Sequence, residues 1–110
     1  MATASQQSSH QLALVGLSYD KVAEFCRKWN LRQFSLFGSI LRDDFSAESD
    51  VDVLIERSAD SQMSLYDWMN MQDELREAVG RPVDVVDIKG LTNPFRRHEI
   101  LRTRQVVYEA

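Results

Sequence analysis

Two strand-length apolar runs, Leu31 to Phe37 and Val51 to Glu56, are interrupted where they approach each other along the chain. The first stops at Gly38-Ser39, and the second is entered through Asp50 and carries Asp52. A carboxylate at the head of a buried strand is costly unless something positive meets it. Any fold of this chain must therefore leave that end of its sheet open to a cation or a basic group. Gly38 provides the sharp turn at which the first run stops.

The remaining elements follow from periodicity. Ser18 caps a helix in which Tyr19, Val22, Ala23, Phe25, Cys26 and Trp29 share one side and Asp20, Lys21, Glu24, Arg27 and Lys28 the other. A short helix is expected from Ser39 to about Asp43. Ser64 caps a longer helix that runs to Val79 and stops at Gly80 and Pro82. Its apolar arc, Trp68, Met71, Leu75, Ala78 and Val79 widened by Leu65 and Met69, is broader than one sheet contact requires, which suits a core helix first and a partner-facing helix second. Val83 to Ile88 is a third strand, Asn93-Pro94 opens a last helix, and Val106 to Tyr108 ends the chain with a short apolar run.

With 110 residues the chain has room for one core. We expect a mobile tail over residues 1–15, polar at MATASQQSSHQ, and a single domain over 16–110. The stretch Leu12 to Leu17 is too short to span a membrane and has no basic segment before it, so neither a membrane span nor a signal peptide is expected. Cys26 is the only cysteine, which excludes an intrachain disulfide and a cysteine-built metal site and fits a cytoplasmic protein. On an apolar helical face it reads as a small core residue. A net charge of −4 argues against a general nucleic-acid binder, although Arg96, Arg97, Arg102 and Arg104 form a local basic stretch. His10 and His98 lie in polar surroundings and read as surface positions.

In a strand, residues two apart share a face and rise by about 3.3 Å each, so Asp50 and Asp52 would stand roughly 6.5 Å apart on one side while Val51, Val53 and Ile55 face the core. Carboxylates converging from a rigid strand favour hard cations, and magnesium is the obvious one. Asp84, flanked by Val83 and Val85, can supply a third ligand from a neighbouring strand. Asp87 has the opposite parity. Three such groups can hold two ions about 3.5 to 4 Å apart, the separation used for in-line phosphoryl or nucleotidyl transfer. The Gly38-Ser39 turn, with backbone N–H groups and a hydroxyl, can hold phosphate oxygens. Either feature alone is common; together they describe a nucleoside triphosphate site.

Gly38-Ser39 followed after ten residues by Asp50-Val51-Asp52, with VDVVD further on and NPFRRHEILRTRQVVYE at the end, resembles the DNA polymerase beta-like nucleotidyltransferase superfamily. The likeness is to its smallest members, the minimal nucleotidyltransferases, and among them to the MntA antitoxins of HEPN/MNT toxin–antitoxin modules. The resemblance implies an α+β, palm-like fold with a mixed sheet of about three to four strands packed against helices. It implies transfer of AMP from ATP to a hydroxyl, a tyrosine, of a cognate HEPN ribonuclease toxin. By position, Gly38 and Ser39 would hold the triphosphate, Asp50 and Asp52 both magnesium ions, and Asp84 the ion nearest the attacking hydroxyl, whose deprotonation it could assist. Arg42 stands where the family usually has an arginine and could meet a phosphate or solvent; Asp43 stands where relatives often have glycine. Two other readings remain open: an antitoxin that neutralises by binding alone, and transfer to RNA or to a small-molecule hydroxyl. Because the core uses nearly the whole chain, most of the acceptor surface must come from another molecule.

Overall fold

The structure, a computed structural model, describes residues 10–110. Strands β1 (Leu31–Phe37), β2 (Val51–Arg57), β3 (Val83–Asp87) and β4 (Gln105–Glu109) form one sheet in the order β3-β2-β1-β4. β1 pairs antiparallel with β2 and β4, and β2 pairs parallel with β3. A parallel neighbour needs a crossover, and helix α2 (Leu65–Val79) provides it; α1 (Tyr19–Lys28) precedes the sheet and α3 (Pro94–Thr103) connects β3 to β4. This is the expected α+β architecture with a mixed sheet.

The helix ends obey the local signals. Ser18 accepts from the Lys21 amide at 3.3 Å. Ser64 and Asp67 form a reciprocal capping box, and Gly80 closes α2 in the left-handed conformation at φ 76°. Asn93 Oδ1 accepts from the amides of Phe95 and Arg96 at 3.0 and 3.1 Å, with Pro94 in the first turn.

Register divides the sheet into two unlike faces. Phe37 is opposite Asp52 and Ser35 opposite Leu54, while Asp52 and Leu54 are level with Asp84 and Val86. Cross-strand partners point to one side, so Asp52 and Asp84 share a face with Phe37 and Leu54, against which Leu91 and Ile100 pack. Phe34, Leu36, Val53 and Ile55 form the other face with Val22, Phe25, Met71 and Leu75. Layers on both sides explain why β1 buries both parities instead of alternating.

Three details differ from expectation. Residues 10–14 are helical, and Leu12 and Val15 lie in the core, so the expected tail is shorter than 1–15; residues 1–9 of it lie outside the described residues. The short helix after β1 is a 3₁₀ turn, Gly38–Leu41. On α2, Met71 and Leu75 are buried, whereas Leu65 and Met69 are 76% and 55% exposed and add nothing to the core. Cys26 is a core residue, its thiol pushed up to about 12 by burial. Among the described residues no helix is long and apolar enough to cross a membrane.

Candidate active site

The end of the sheet where β1 stops and β2 and β3 begin gathers Gly38, Ser39, Asp50, Asp52 and Asp84. Gly38 has φ 77°, and a Cβ built on it would lie 2.2 Å from Asp52 Oδ2. Glycine is required there twice, by the left-handed backbone and by the carboxylate that occupies the side-chain space. The turn and the acidic strand are thus one fitted unit.

Ser39 Oγ donates to the Asp50 carbonyl at 3.3 Å. A hydroxyl has one proton, so while this bond holds, Ser39 ties the turn to the strand entrance, and phosphate oxygens would be met by backbone N–H groups of the turn or after the hydroxyl rotates. Asp50 stands one residue ahead of β2, so strand alternation does not orient it. Its backbone is instead fixed from both sides, by Ser39 and by the Val51 amide, which donates to the Pro82 carbonyl at 3.1 Å.

Asp52 is partly shielded, while Asp50 and Asp84 are exposed. Its carboxyl is held above the ordinary carboxylate value, first by burial, then by the negative charges of Asp84 and Asp50; Arg42 and Arg96 act in the opposite direction. The three carboxylates are near enough to repel one another without forming a closed cage. Among the described residues, no group of three or more His, Cys, Asp or Glu side chains is drawn together as metal ligands. The donor set, all hard oxygens around a disfavoured negative charge, fits magnesium chemically.

Arg42 lies beside this centre and pairs with Asp44 at 3.4 Å, an exposed contact of little strength. Asp87 is occupied elsewhere, accepting from Arg57 Nε at 2.9 Å. The basic stretch is dispersed: Arg97 Nη1 donates to the Ile88 carbonyl, Arg102 pairs with Glu99, and Arg104 Nη1 donates to Gln33 Oε1. Of these arginines, Arg96 is the one whose charge reaches Asp52. His10 and His98 are exposed, as expected.

Sequence reasoning missed Arg81. Its Nη1 donates to the carbonyls of Ser46 and Ser49 at 3.0 and 3.2 Å, and its guanidinium lies 5.0 Å from the Phe45 ring centroid. It clamps the loop that delivers Asp50. An arginine ahead of a proline carries no sequence signal for that role; only the folded proximity of residues 45–49 to 81 reveals it.

Residues 20–110 match the family model described as Polymerase beta, Nucleotidyltransferase. Two proteins of Methanocaldococcus jannaschii bear the name "Putative protein adenylyltransferase". One is 31% identical over 81 residues, 74% of this chain and 84% of the relative, and the other 27% over 73 residues, 66% and 73%. A solved "putative minimal nucleotidyltransferase" superposes with a TM-score of 0.65 at 27% identity, covering 78% of this chain and 85% of that one. Two more distant structures share the fold. A toxin–antitoxin structure with AMP-PNP has a TM-score of 0.68 at 18% identity, covering 86% and 75%. A complex of tri-AMPylated Shewanella oneidensis HEPN toxin with MNT antitoxin has a TM-score of 0.60 at 16% identity, covering 84% and 70%.

Proposed function

The chain belongs to the polymerase beta-type nucleotidyltransferase family, and from that premise we propose that it is a magnesium-dependent protein adenylyltransferase, the antitoxin of a cytoplasmic two-protein module. Its donor would be ATP, and its acceptor a tyrosine hydroxyl of a cognate HEPN ribonuclease toxin. The observation that carries this reading is the fit of Asp52 over Gly38, with Asp84 level with Asp52 on the next strand. The names of the relatives support the adenylyl group, and the complexes in which the fold neighbours sit support the partner.

In this reading Asp50, Asp52 and Asp84 would hold two magnesium ions, which when bound supply charge neutralisation of the triphosphate and acidify the acceptor hydroxyl. Gly38 and Ser39 hold the phosphate chain in line, and Arg42 adds a positive charge beside it. Asp84, the more exposed member of the Asp52–Asp84 pair, faces the open side from which an acceptor arrives and takes the hydroxyl proton. The acceptor oxygen forms a bond to the α-phosphorus, the bond to the β-bridging oxygen breaks, and pyrophosphate leaves with the electron pair.

The test is incubation with the neighbouring toxin and ATP labelled at the α-phosphate. Label should appear on the partner, and Asp84→Asn should bind ATP yet fail to transfer. Absence of transfer by the wild type under conditions where ATP binds would overturn the proposal.

A further inference from the structure

Leu65, Tyr66 and Met69 form a cluster of exposed large side chains in the first turns of α2, 76%, 74% and 55% exposed. Leu14, Tyr19 and Phe95, also exposed, come from three different helices. Scattered apolar exposure is ordinary, whereas a cluster marks a surface that meets something. Tyr66 brings to this cluster a phenol hydroxyl, the group that the transferase reading names as acceptor. Of the three tyrosines in the chain, Tyr19 and the half-buried Tyr108 hold their rings against each other, centroids 6.3 Å apart. Tyr66 lies outside that pair, and its hydroxyl bonds to no described residue. We propose that Tyr66 is itself an acceptor, adenylylated by a second copy of this chain. The inference rests on the transferase reading above.

Topology requires that the transfer pass between copies. Helix α2 is the crossover from β2 to β3, so its first turn lies where those two parallel strands finish, and Leu65 and Trp68 stand with Arg57 and Asp87 around a cleft of about 340 Å³. The carboxylates stand where the same strands begin. From Asp52 to Arg57 the strand alone rises about 16 Å, at about 3.3 Å per residue. That is more than a tyrosine side chain spans, so no chain reaches its own Tyr66. A site at one end of the sheet and an acceptor at the other make a head-to-tail encounter between two copies.

The acceptor is also rigidly presented. The Ser64–Asp67 capping box brackets Tyr66: the Asp67 amide donates to Ser64 Oγ at 3.0 Å and the Ser64 amide to Asp67 Oδ2 at 3.2 Å. A hydroxyl carried on a fixed backbone loses less freedom on reaching an in-line position. Leu65 and Met69 add nothing to the core, so an encounter that covers them gains apolar burial without disturbing either fold. In the step itself Tyr66 Oη forms a bond to the α-phosphorus of ATP held by the other copy, and the bond from that phosphorus to the β-bridging oxygen breaks. Pyrophosphate leaves with the electron pair, and the phenolic proton passes to Asp84 of the copy that holds the ATP. The product is a phosphodiester that adds one negative charge to the patch.

The full chain would be incubated without toxin in magnesium and ATP labelled at the α-phosphate, beside a sample that contains the toxin. The intact mass should rise by one adenylyl group, peptide mapping should place it on Tyr66, and the rate per chain should increase with protein concentration. Tyr66→Phe should lose the label while keeping the wild-type melting temperature and transfer to the toxin. Mixing Tyr66→Phe, which supplies a site, with Asp52→Asn, which supplies an acceptor, should label the Asp52→Asn chain. Label on another residue, label retained by Tyr66→Phe, a rate independent of concentration, an unlabelled Asp52→Asn chain in the mixture, or labelling of the toxin alone would overturn the Tyr66 assignment and leave the transferase reading standing. Labelling of neither protein would overturn both.

Discussion

Asp52 carries the central conflict of this molecule, because burial and two neighbouring carboxylates all disfavour its charge. Its folded pKa is raised, so between the ordinary value of 3.8 and that raised value the native chain binds more protons than the unfolded one. Stability is therefore lost as pH rises through this window, the reverse of a salt-bridged aspartate. Asp52→Asn should melt at a higher temperature than wild type at neutral pH and at the same temperature below the window; a variant less stable at pH 7 would refute this. Magnesium should raise the melting temperature of wild type and not of Asp52→Asn. If the ions contribute about 4 kcal/mol of charge stabilisation, transfer by the variant falls about a thousandfold. Gly38→Ala tests the same contact from the other side. The left-handed backbone costs about 1–2 kcal/mol with a Cβ, and the new methyl collides with Asp52 Oδ2, so both stability and transfer should drop. Wild-type activity in that variant would mean that the carboxylate has a second productive position.

Among the elements, α2 separates two roles that its sequence merges. Met71 is fully buried and Leu65 is not, so Met71→Ala should cost about 2–5 kcal/mol in denaturant unfolding and Leu65→Ser no more than about 0.5 kcal/mol. Equal costs would show that the exposed arc supports the core after all. The loop from Phe45 to Ser49 is held by Arg81 in addition to its own Ser46–Ser49 hydrogen bonds. Lysine keeps the charge but neither the fork nor the flat stacking surface. Arg81→Lys should thus leave the melting temperature nearly unchanged while lowering turnover up to about a hundredfold through misplaced Asp50, with a raised magnesium requirement and an unaltered KM for ATP. A variant that loses stability and activity together would reduce Arg81 to a scaffold residue. The helix boundaries were readable because caps act within four residues: Ser18, Ser64 and Asn93 each accept from an amide two or three positions on. The short helix expected from Ser39 to about Asp43 is present as a 3₁₀ helix over Gly38–Leu41.

At the scale of the whole molecule, the proposed site lies at the strand ends of a small sheet, and in the proposed reading the acceptor would be presented by another protein. Asp50→Ala with Asp52→Ala should retain the fold, since neither side chain packs in the core, and should abolish labelling of the partner; full neutralisation of the toxin by this double variant at matched abundance would assign neutralisation to binding alone. Most of the helices and strands, their caps and the list of acidic and phosphate-holding candidates were legible in the sequence, because these are set by periodicity and by interactions a few residues long; the helical residues 10–14 were not. Tertiary structure alone decided that Asp84 is level with Asp52, that Asp87 belongs to Arg57, that Arg96 is the arginine of the basic stretch whose charge reaches Asp52, and that Arg81 holds the Asp50 loop. Each of these depends on strand register or on contacts across 30 or more residues of chain, for example between Arg81 and Ser46. Such contacts are chosen by burial of two sheet faces together, and no local pattern encodes that choice.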